Sequence, residues 1–178
     1  MITQPIDTRE WVGSIITASG KQFDLANPHP DQLDIYDIAR SLSHMCRFNG
    51  HLPSFYSIAE HSIRVSNWLE ARGESSLVVL TGLLHDAAEA YIGDLVRPLK
   101  QMEELSSFRN VVEPRVAQVL HETLGGTFPH PDIVHEADRE VYYWEVANIR
   151  TGIRPGWSPS RGFSDFLTRY EQLRRKVI

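Results

Sequence analysis

A nearly continuous apolar segment, residues 77–84, leads directly into His85 and Asp86. Because residues 76–91 are apolar on almost every side, they predict a central helix buried in the core. In a continuous helix Glu89, three to four residues further on, would share a face with His85 and Asp86. Ionisable groups at the end of a buried helix are costly unless they are paired or bind a metal. The sequence therefore predicts a polar site here, which a divalent cation would compensate.

The rest of the chain is typical of an all-α fold with a small β-hairpin at its N-terminus. Helical stripes predict further helices over residues 35–42, 58–69, 111–124, 131–149 and 164–176. Two short extended stretches, residues 14–17 and 22–25, flank a turn at Gly20 and predict the hairpin. Without a linker or an internal repeat, 178 residues fit one domain spanning residues 1–178. We expect an N-terminal arm over residues 1–30 and a helical, metal-binding core over residues 31–178.

Composition and net charge restrict the kinds of molecule that the protein is expected to bind. The net charge is −5 without a long basic run, which argues against a nucleic-acid surface. The apolar segment is far shorter than the roughly 20 residues that cross a bilayer, and residues 1–5 do not resemble a secretory signal. The single cysteine, Cys46, suits a reducing compartment, and we expect it to be a small buried residue. A cytoplasmic protein without a membrane or nucleic-acid partner is the expectation.

Four residues in order carry a resemblance to a known family. The set His61, His85-Asp86 and Asp138 resembles the H…HD…D signature of HD-domain phosphohydrolases, over roughly residues 33–150. Residues 57–62, 82–89, 93–95 and 98–100 look like the small nucleotidase branch of that superfamily. This branch includes bacterial 5′-deoxynucleotidases, a triphosphohydrolase of oxetanocin biosynthesis and phage dATP triphosphohydrolases. The resemblance implies an HD-domain helical bundle.

The resemblance also implies a cofactor. One divalent ion per chain would be held by His61, His85, Asp86 and Asp138. Imidazole and carboxylate ligands suit Mn, Fe, Co, Ni or Zn, and two carboxylates also admit Mg. His135, three residues before Asp138 on the same helix face, is a local rival ligand.

The implied activity is hydrolysis of a nucleotide, with a deoxynucleotide as the expected substrate. A metal-activated water would attack the α-phosphorus and release a nucleoside plus phosphate or triphosphate. Relatives often form assemblies, so we expect a homo-oligomer. Two alternatives stay open: a hydrolase of signalling nucleotides, and a catalytically silent metal-stabilised scaffold that binds nucleotides or a partner protein.

Five further residues receive roles from the resemblance. Glu89 would act as general base or orient the attacking water, and Asp94 would position the substrate or protonate the leaving oxygen. Arg47 and Lys100 would contact phosphate, supplying the local positive charge that an acidic protein needs for an anionic substrate. Phe48, where those enzymes carry a tryptophan, would contact sugar or base.

The remaining histidines and aromatic residues receive structural interpretations. Tyr143 and Trp144 are expected to pack in the core, and Trp157 is an alternative substrate contact. The histidines interpreted as structural or surface residues are His29, His44, His51, His121 and His130.

Overall fold

A computed structural model describes residues 14–177 of the chain, beginning with an antiparallel hairpin. Its strands are β1 (Ser14–Ile16) and β2 (Gln22–Asp24), with Ile15 opposite Phe23. The hairpin and the helices that follow confirm the predicted all-α fold with a small N-terminal β-hairpin. The rest of the predicted N-terminal arm, residues 1–13, lies outside the described residues.

The helices follow the hairpin in sequence. They are α1 (Ile35–His44), α2 (Ile58–Ala71), α3 (Ser76–Leu84), α4 (Glu89–Ile92), α5 (Arg97–Lys100), α6 (Glu113–Leu124), α7 (Asp132–Asn148) and α8 (Pro159–Val177). A π-helical turn, Phe108–Val112, precedes α6, and α8 begins five residues earlier than the sequence predicts. Among residues 14–177, none of the helices combines the length and apolar character that crossing a bilayer requires.

Local hydrogen bonds explain several of these helix ends. The carboxylate of Asp34 accepts a hydrogen bond from the amide of Tyr36 at 2.9 Å and caps α1. The hydroxyl of Ser57 accepts one from the amide of Glu60 at 3.1 Å and caps α2. Gly125 ends α6 with a φ of +85°, a conformation that favours glycine. These boundaries are therefore local features of the sequence.

Helix α2 lies at the centre of the bundle and packs against α3, α7 and α8. It approaches α3 closely at Gly82. Because glycine has no β-carbon, the side chain of Leu69 can occupy the space that a β-carbon at Gly82 would need. This close packing brings the polar ends of α2 and α3 together. The largest fully buried side chains around them include Phe23, Leu42, Tyr56, Leu69, Leu83, Leu120 and Phe166.

The predicted continuous helix over residues 76–91 is wrong. Helix α3 ends at Leu84, and the chain turns through residues 85–88 before α4 begins at Glu89. Within this turn the amide of Glu89 donates to the carbonyl of Asp86, a span of three residues at 3.0 Å. The imidazole of His85 donates to the carbonyl of Gly82 at 2.8 Å, and this carbonyl is the one that a continued helix would offer to the Asp86 amide.

Candidate metal centre

Three predicted ligands converge at the end of α3. The Nε2 atoms of His61, on α2, and His85 are 3.3 Å apart. The Oδ2 atom of Asp86 lies 3.1 Å from Nε2 of His85 and 3.5 Å from Nε2 of His61. The donor atoms of all three residues lie within 4.8 Å of one another, a group that could hold a metal ion.

Buried acceptors orient both imidazoles. Nδ1 of His61 donates to Oε1 of Glu145 at 2.6 Å, and Nδ1 of His85 donates to the carbonyl of Gly82 at 2.8 Å. A ring that donates through Nδ1 presents the lone pair of Nε2 to the centre. This arrangement is typical of metal-ligating histidines, so the donor set fits a divalent cation.

The fourth predicted ligand approaches from α7. Oδ1 of Asp138 lies 3.1 Å from Nε2 of His61 and 3.9 Å from Nε2 of His85. The rival His135 is exposed, and its ring lies 5.8 Å from that of His130. The structure therefore brings Asp138, rather than His135, to His61.

Arg47 lies among the carboxylates of the centre. Its Nε donates to Oε2 of Glu145 at 3.0 Å, while Nη1 lies 3.7 Å from Asp86 and Nη2 3.6 Å from Asp138. Burial alone would lower the pKa of Arg47, but these three carboxylates outweigh burial and raise it. Arg47 is thus a permanent positive charge inside an acidic site, and its predicted contact with phosphate stays a prediction.

The protonation states of the ligands are coupled. Burial would lower the pKa of His85, yet the charge of Asp86 prevails and raises that pKa to about 9. Burial would raise the pKa of Asp138, but its hydrogen bond to His61 and the charge on His85 lower it to about 2. Binding of a divalent cation at Nε2 of these rings would therefore displace protons from the centre.

Glu89 is a buried carboxylate beside the centre. Its Oε1 accepts a hydrogen bond from Nζ of Lys100 at 3.2 Å, and Lys100 also donates to Glu113 at 2.8 Å. Its Oε2 is buried and has no hydrogen-bond partner among the described residues. Burial raises the pKa of Glu89 well above its ordinary value, and the charges of Asp86 and Asp94 raise it further.

Asp94 directly follows Gly93, whose φ of +82° turns the chain after α4. Burial raises the pKa of Asp94, while the charge of Arg47 lowers it and that of Asp86 raises it. Electrostatic interactions with the candidate metal ligands are therefore shared by the predicted residues Glu89, Asp94 and Arg47.

Phe48 lies next to Arg47 in a strained loop. Phe48 and Asn49 have φ values of +57° and +50°, a left-handed conformation uncommon in residues other than glycine. The ring of Phe48 stacks on that of Tyr142 with centroids 5.9 Å apart. Tyr142, four residues after Asp138 on α7 and 41% exposed, was missed by the sequence analysis. Its helical spacing from Asp138 was the available signal.

Four expectations about single side chains can be compared with the structure. Cys46 is exposed, not buried, and Tyr143 is 57% exposed, not in the core. Trp144 is half-buried, and its ring packs 4.1 Å from the guanidinium of Arg64. The ring of Trp157 lies 5.2 Å from the same guanidinium, a packing role within the described residues.

Glu145 is the functional residue that sequence reasoning missed most clearly. It is completely buried, and besides His61 and Arg47 it accepts a hydrogen bond from the hydroxyl of Tyr56 at 2.8 Å. Since seven residues are two helical turns, Glu145 lies on the same face of α7 as Asp138. That spacing could have identified it.

A pair of histidines adjoins the centre. Nε2 of His121, on α6, lies 2.9 Å from Nε2 of His130, in the loop before α7. The ring of His130 is 6.5 Å from that of His85. Burial, together with the charge of His85, lowers the pKa of His121 to about 3 and that of His130 to about 4. Sequence analysis treated both as structural or surface residues.

Two relatives are similar to this chain. It is 38% identical over 111 residues to an uncharacterized protein, YfdR, of Escherichia coli strain K12; the match covers 62% of this chain and 58% of that protein. It is 40% identical over 87 residues to an uncharacterized protein, RCAP_rcc00048, of Rhodobacter capsulatus, covering 46% of this chain and 44% of that protein. The matches thus span about half the length of these relatives. No family model matches the chain.

Proposed function

We propose that this protein is a metal-dependent phosphohydrolase acting on nucleotides, with its cation held by His61, His85, Asp86 and Asp138. The observation that carries the proposal is the convergence of pre-oriented imidazoles and carboxylates beside the buried carboxylate of Glu89. A metal site that only stabilises the fold does not require a further buried carboxylate beside its ligands with an oxygen that lacks a hydrogen-bond partner among the described residues. This observation supports an enzyme over a silent scaffold.

A bound divalent cation would supply Lewis acidity, neutralising phosphoryl charge and making water a stronger nucleophile. In the proposal, Oε2 of Glu89 accepts the proton of the attacking water. Burial raises the pKa of Glu89 above its ordinary value, which makes the carboxylate a stronger base for this role. Lys100 holds Oε1 of the same carboxylate and so fixes its direction.

Arg47 is the proposed phosphate contact. Its Nε donates to Glu145, whereas Nη1 lies 3.7 Å from Asp86 and Nη2 lies 3.6 Å from Asp138. Both distances are longer than hydrogen bonds, so within residues 14–177 these two carboxylates leave the Nη groups able to donate to phosphoryl oxygens. Asp94, whose pKa is raised by burial, is the proposed proton donor to the leaving oxygen.

The aromatic pair Phe48 and Tyr142 supports a nucleoside on the substrate. An exposed, stacked aromatic surface next to the phosphate contact offers a platform for a base or a sugar. A cytoplasmic location and a homo-oligomeric state are further parts of the proposal.

A substrate screen tests the proposal. Protein stripped of metal and reloaded with Mn²⁺, Co²⁺ or Mg²⁺ is incubated with deoxy- and ribonucleoside mono-, di- and triphosphates, and products are separated by chromatography. We expect a nucleoside together with phosphate or triphosphate, formed only in the presence of metal. The control variant Asp138→Asn, which preserves shape but weakens a ligand, should lose this activity. Metal-loaded protein that hydrolyses no nucleotide would overturn the proposal and favour the scaffold.

A further inference from the structure

Helix α7 has an exposed side that carries arginine and tyrosine side chains beside the candidate centre. Arg139, Tyr142, Val146 and Arg150 recur at intervals of three or four residues, so they follow one side of the helix and its end. We call these four residues the α7 stripe. All of them are exposed except Val146, which is half-buried. Because an α-helix rises 1.5 Å per residue, the part of the stripe from Arg139 to the end of α7 is about 14 Å long.

Three exposed arginines are available for binding on this side of the molecule. Arg154, in the loop after α7, joins Arg139 and Arg150, because its amide donates to the carbonyl of Asn148 at 2.9 Å and holds the loop against the helix end. Within residues 14–177 none of the three guanidinium groups pairs with a carboxylate, whereas that of Arg161 on α8 does. Their positive charge is therefore not neutralised by a neighbour in this part of the chain.

The stripe begins at the proposed nucleotide site. Tyr142 stacks on Phe48, and the guanidinium of Arg47 lies 5.7 Å from the Phe48 ring. Asp138, a proposed metal ligand, precedes Tyr142 by one helical turn. Arg150 lies two turns beyond Tyr142, about 12 Å further along the axis. A phosphate at Arg47 and a base on the aromatic pair would therefore leave Arg150 available for a phosphate other than the one that is hydrolysed.

We propose that the α7 stripe and Arg154 bind single-stranded DNA, and that the substrate is the 5′-phosphorylated end of such a strand. Aromatic rings next to positive side chains are the groups with which proteins hold single strands without reading their sequence. The arginines would contact the phosphates that follow the terminal nucleotide. The choice of substrate rests on the proposed function. Water attacks the terminal phosphorus and gives its proton to Glu89, the bond to O5′ breaks, and Asp94 protonates O5′, so that phosphate and a 5′-hydroxyl strand leave.

This proposal departs from the expectation that an acidic protein has no nucleic-acid partner. The net charge of −5 opposes a polyanion at long range, but physiological salt screens charges that are further apart than about 8 Å. The acidic residues Glu136 and Glu140 follow another side of α7, away from the stripe, and Glu136 lies 3.7 Å from Arg72. Charge along the stripe is therefore locally positive.

Binding of a labelled strand tests the proposal without depending on hydrolysis. The probe is 3′-labelled octathymidylate with a 5′-hydroxyl, which has no terminal phosphate to lose. Its fluorescence anisotropy is measured with Co²⁺-loaded protein at several KCl concentrations. With three phosphate contacts, the logarithm of the association constant should fall with the logarithm of the KCl concentration at a slope of about −2. In Arg150→Gln/Arg154→Gln, affinity should fall roughly 5- to 30-fold and the slope should change to about −0.7.

A matched control removes two positive charges elsewhere. Arg175→Gln/Lys176→Gln, at the exposed end of α8, should bind the strand like the wild type. KM for phosphate release from 5′-phosphorylated octathymidylate should rise in Arg150→Gln/Arg154→Gln and stay unchanged in the control. Circular dichroism checks that each variant is folded, and Arg139→Gln is a second stripe variant if the first is not.

Equal strand affinities for the stripe variant and the control would overturn the proposal. Wild-type protein that hydrolyses dTMP but binds the strand no more tightly than dTMP would also overturn it, while the proposed function would stand. Strand binding through the stripe without hydrolysis of any nucleotide would contradict the proposed function alone. A stripe variant with a smaller mass by sedimentation and unchanged strand affinity would overturn the proposal and assign this side of α7 to a contact between copies of the chain.

Discussion

Glu145 accepts a hydrogen bond from Nδ1 of His61 at 2.6 Å, and both side chains are completely buried. The bond fixes the imidazole with Nε2 directed at Asp138 and His85. The negative charge of Glu145 also makes the ring a stronger ligand. We therefore expect metal affinity at the candidate centre to depend on Glu145, a residue outside the proposed ligand set.

The variant Glu145→Gln tests this dependence. The amide retains the shape of the side chain and a weaker hydrogen bond, but it loses the charge. We expect metal affinity to fall by about 10- to 100-fold, measured by competition with a chelator. Glu140→Gln, which changes an exposed carboxylate on the same helix, should leave affinity unchanged. Equal affinities in the wild type and Glu145→Gln would contradict this role.

Arg47 should matter most to the metal-free protein. In the variant Arg47→Gln, the buried carboxylate of Glu145 loses its ion pair, and Asp86 and Asp138 lose a neighbouring positive charge. We expect the free energy of unfolding to fall by about 3–5 kcal/mol, measured by urea denaturation. Added Co²⁺ should restore part of this loss, because the cation compensates the same carboxylates.

Two comparisons check that interpretation. Arg150→Gln, which alters an exposed arginine, should unfold like the wild type with or without metal. An Arg47→Gln protein that is equally destabilised in the presence and absence of Co²⁺ would show that Arg47 acts independently of the metal ligands.

Local patterns predicted much of the fold. The caps at Ser57 and Asp34 and the glycine at Gly125 mark helix ends because their hydrogen bonds and backbone angles involve neighbouring residues. The same reasoning failed between His85 and Glu89. There the side chain of His85 competes for the carbonyl of Gly82, and helical periodicity in the sequence does not indicate this competition.

The candidate site was predicted only in part, for a related reason. Partners far apart in the chain, such as His61 and Glu145, meet only through the packing of α2 against α7. The pairing of His121 with His130 likewise depends on how the loop after α6 folds back. Spacing within one helix places Glu145 and Tyr142 on the face of α7 that carries Asp138, but it does not identify the side chains from other parts of the chain that they contact.

Stability at acidic pH should depend on His130. Burial, with the charges of His85 and His135, lowers its pKa from 6.5 to about 4 in the folded protein. Between these pH values the unfolded chain binds a proton that the folded chain does not, so stability falls as the pH is lowered through this window. This loss of stability reaches about 3 kcal/mol below pH 4 and is absent above pH 6.5.

The measurement compares chelated wild type with His130→Gln by urea denaturation at several pH values. We expect the wild type to lose more stability than the variant between pH 6.5 and about 4. His44→Gln serves as the control and should follow the wild type. Parallel curves for the wild type and His130→Gln would contradict the assigned pKa.

Tyr142 should affect substrate binding more than turnover, provided that the substrate is a nucleotide. In Tyr142→Ala the stacking partner of Phe48 is removed, while Asp138 stays in place. Stacking of a base on an aromatic ring contributes about 1–3 kcal/mol, so KM should rise roughly 5- to 150-fold with a smaller change in kcat. Tyr143→Ala, at the exposed neighbouring position, is the matched control. Similar KM values for the two variants would exclude a specific role for the Phe48–Tyr142 stack.

Glu89 should be required for turnover but not for metal binding. Glu89→Gln keeps the contact with Lys100 and removes the carboxylate oxygen that has no partner among the described residues. Because general bases contribute about 10²- to 10⁴-fold, we expect nucleotide hydrolysis to fall by that factor while Co²⁺ content is unchanged. Glu113→Gln removes the other carboxylate that contacts Lys100 and should cost far less activity. If Glu89→Gln binds Co²⁺ normally and hydrolyses nucleotides at the wild-type rate, the proton must leave the water by another route.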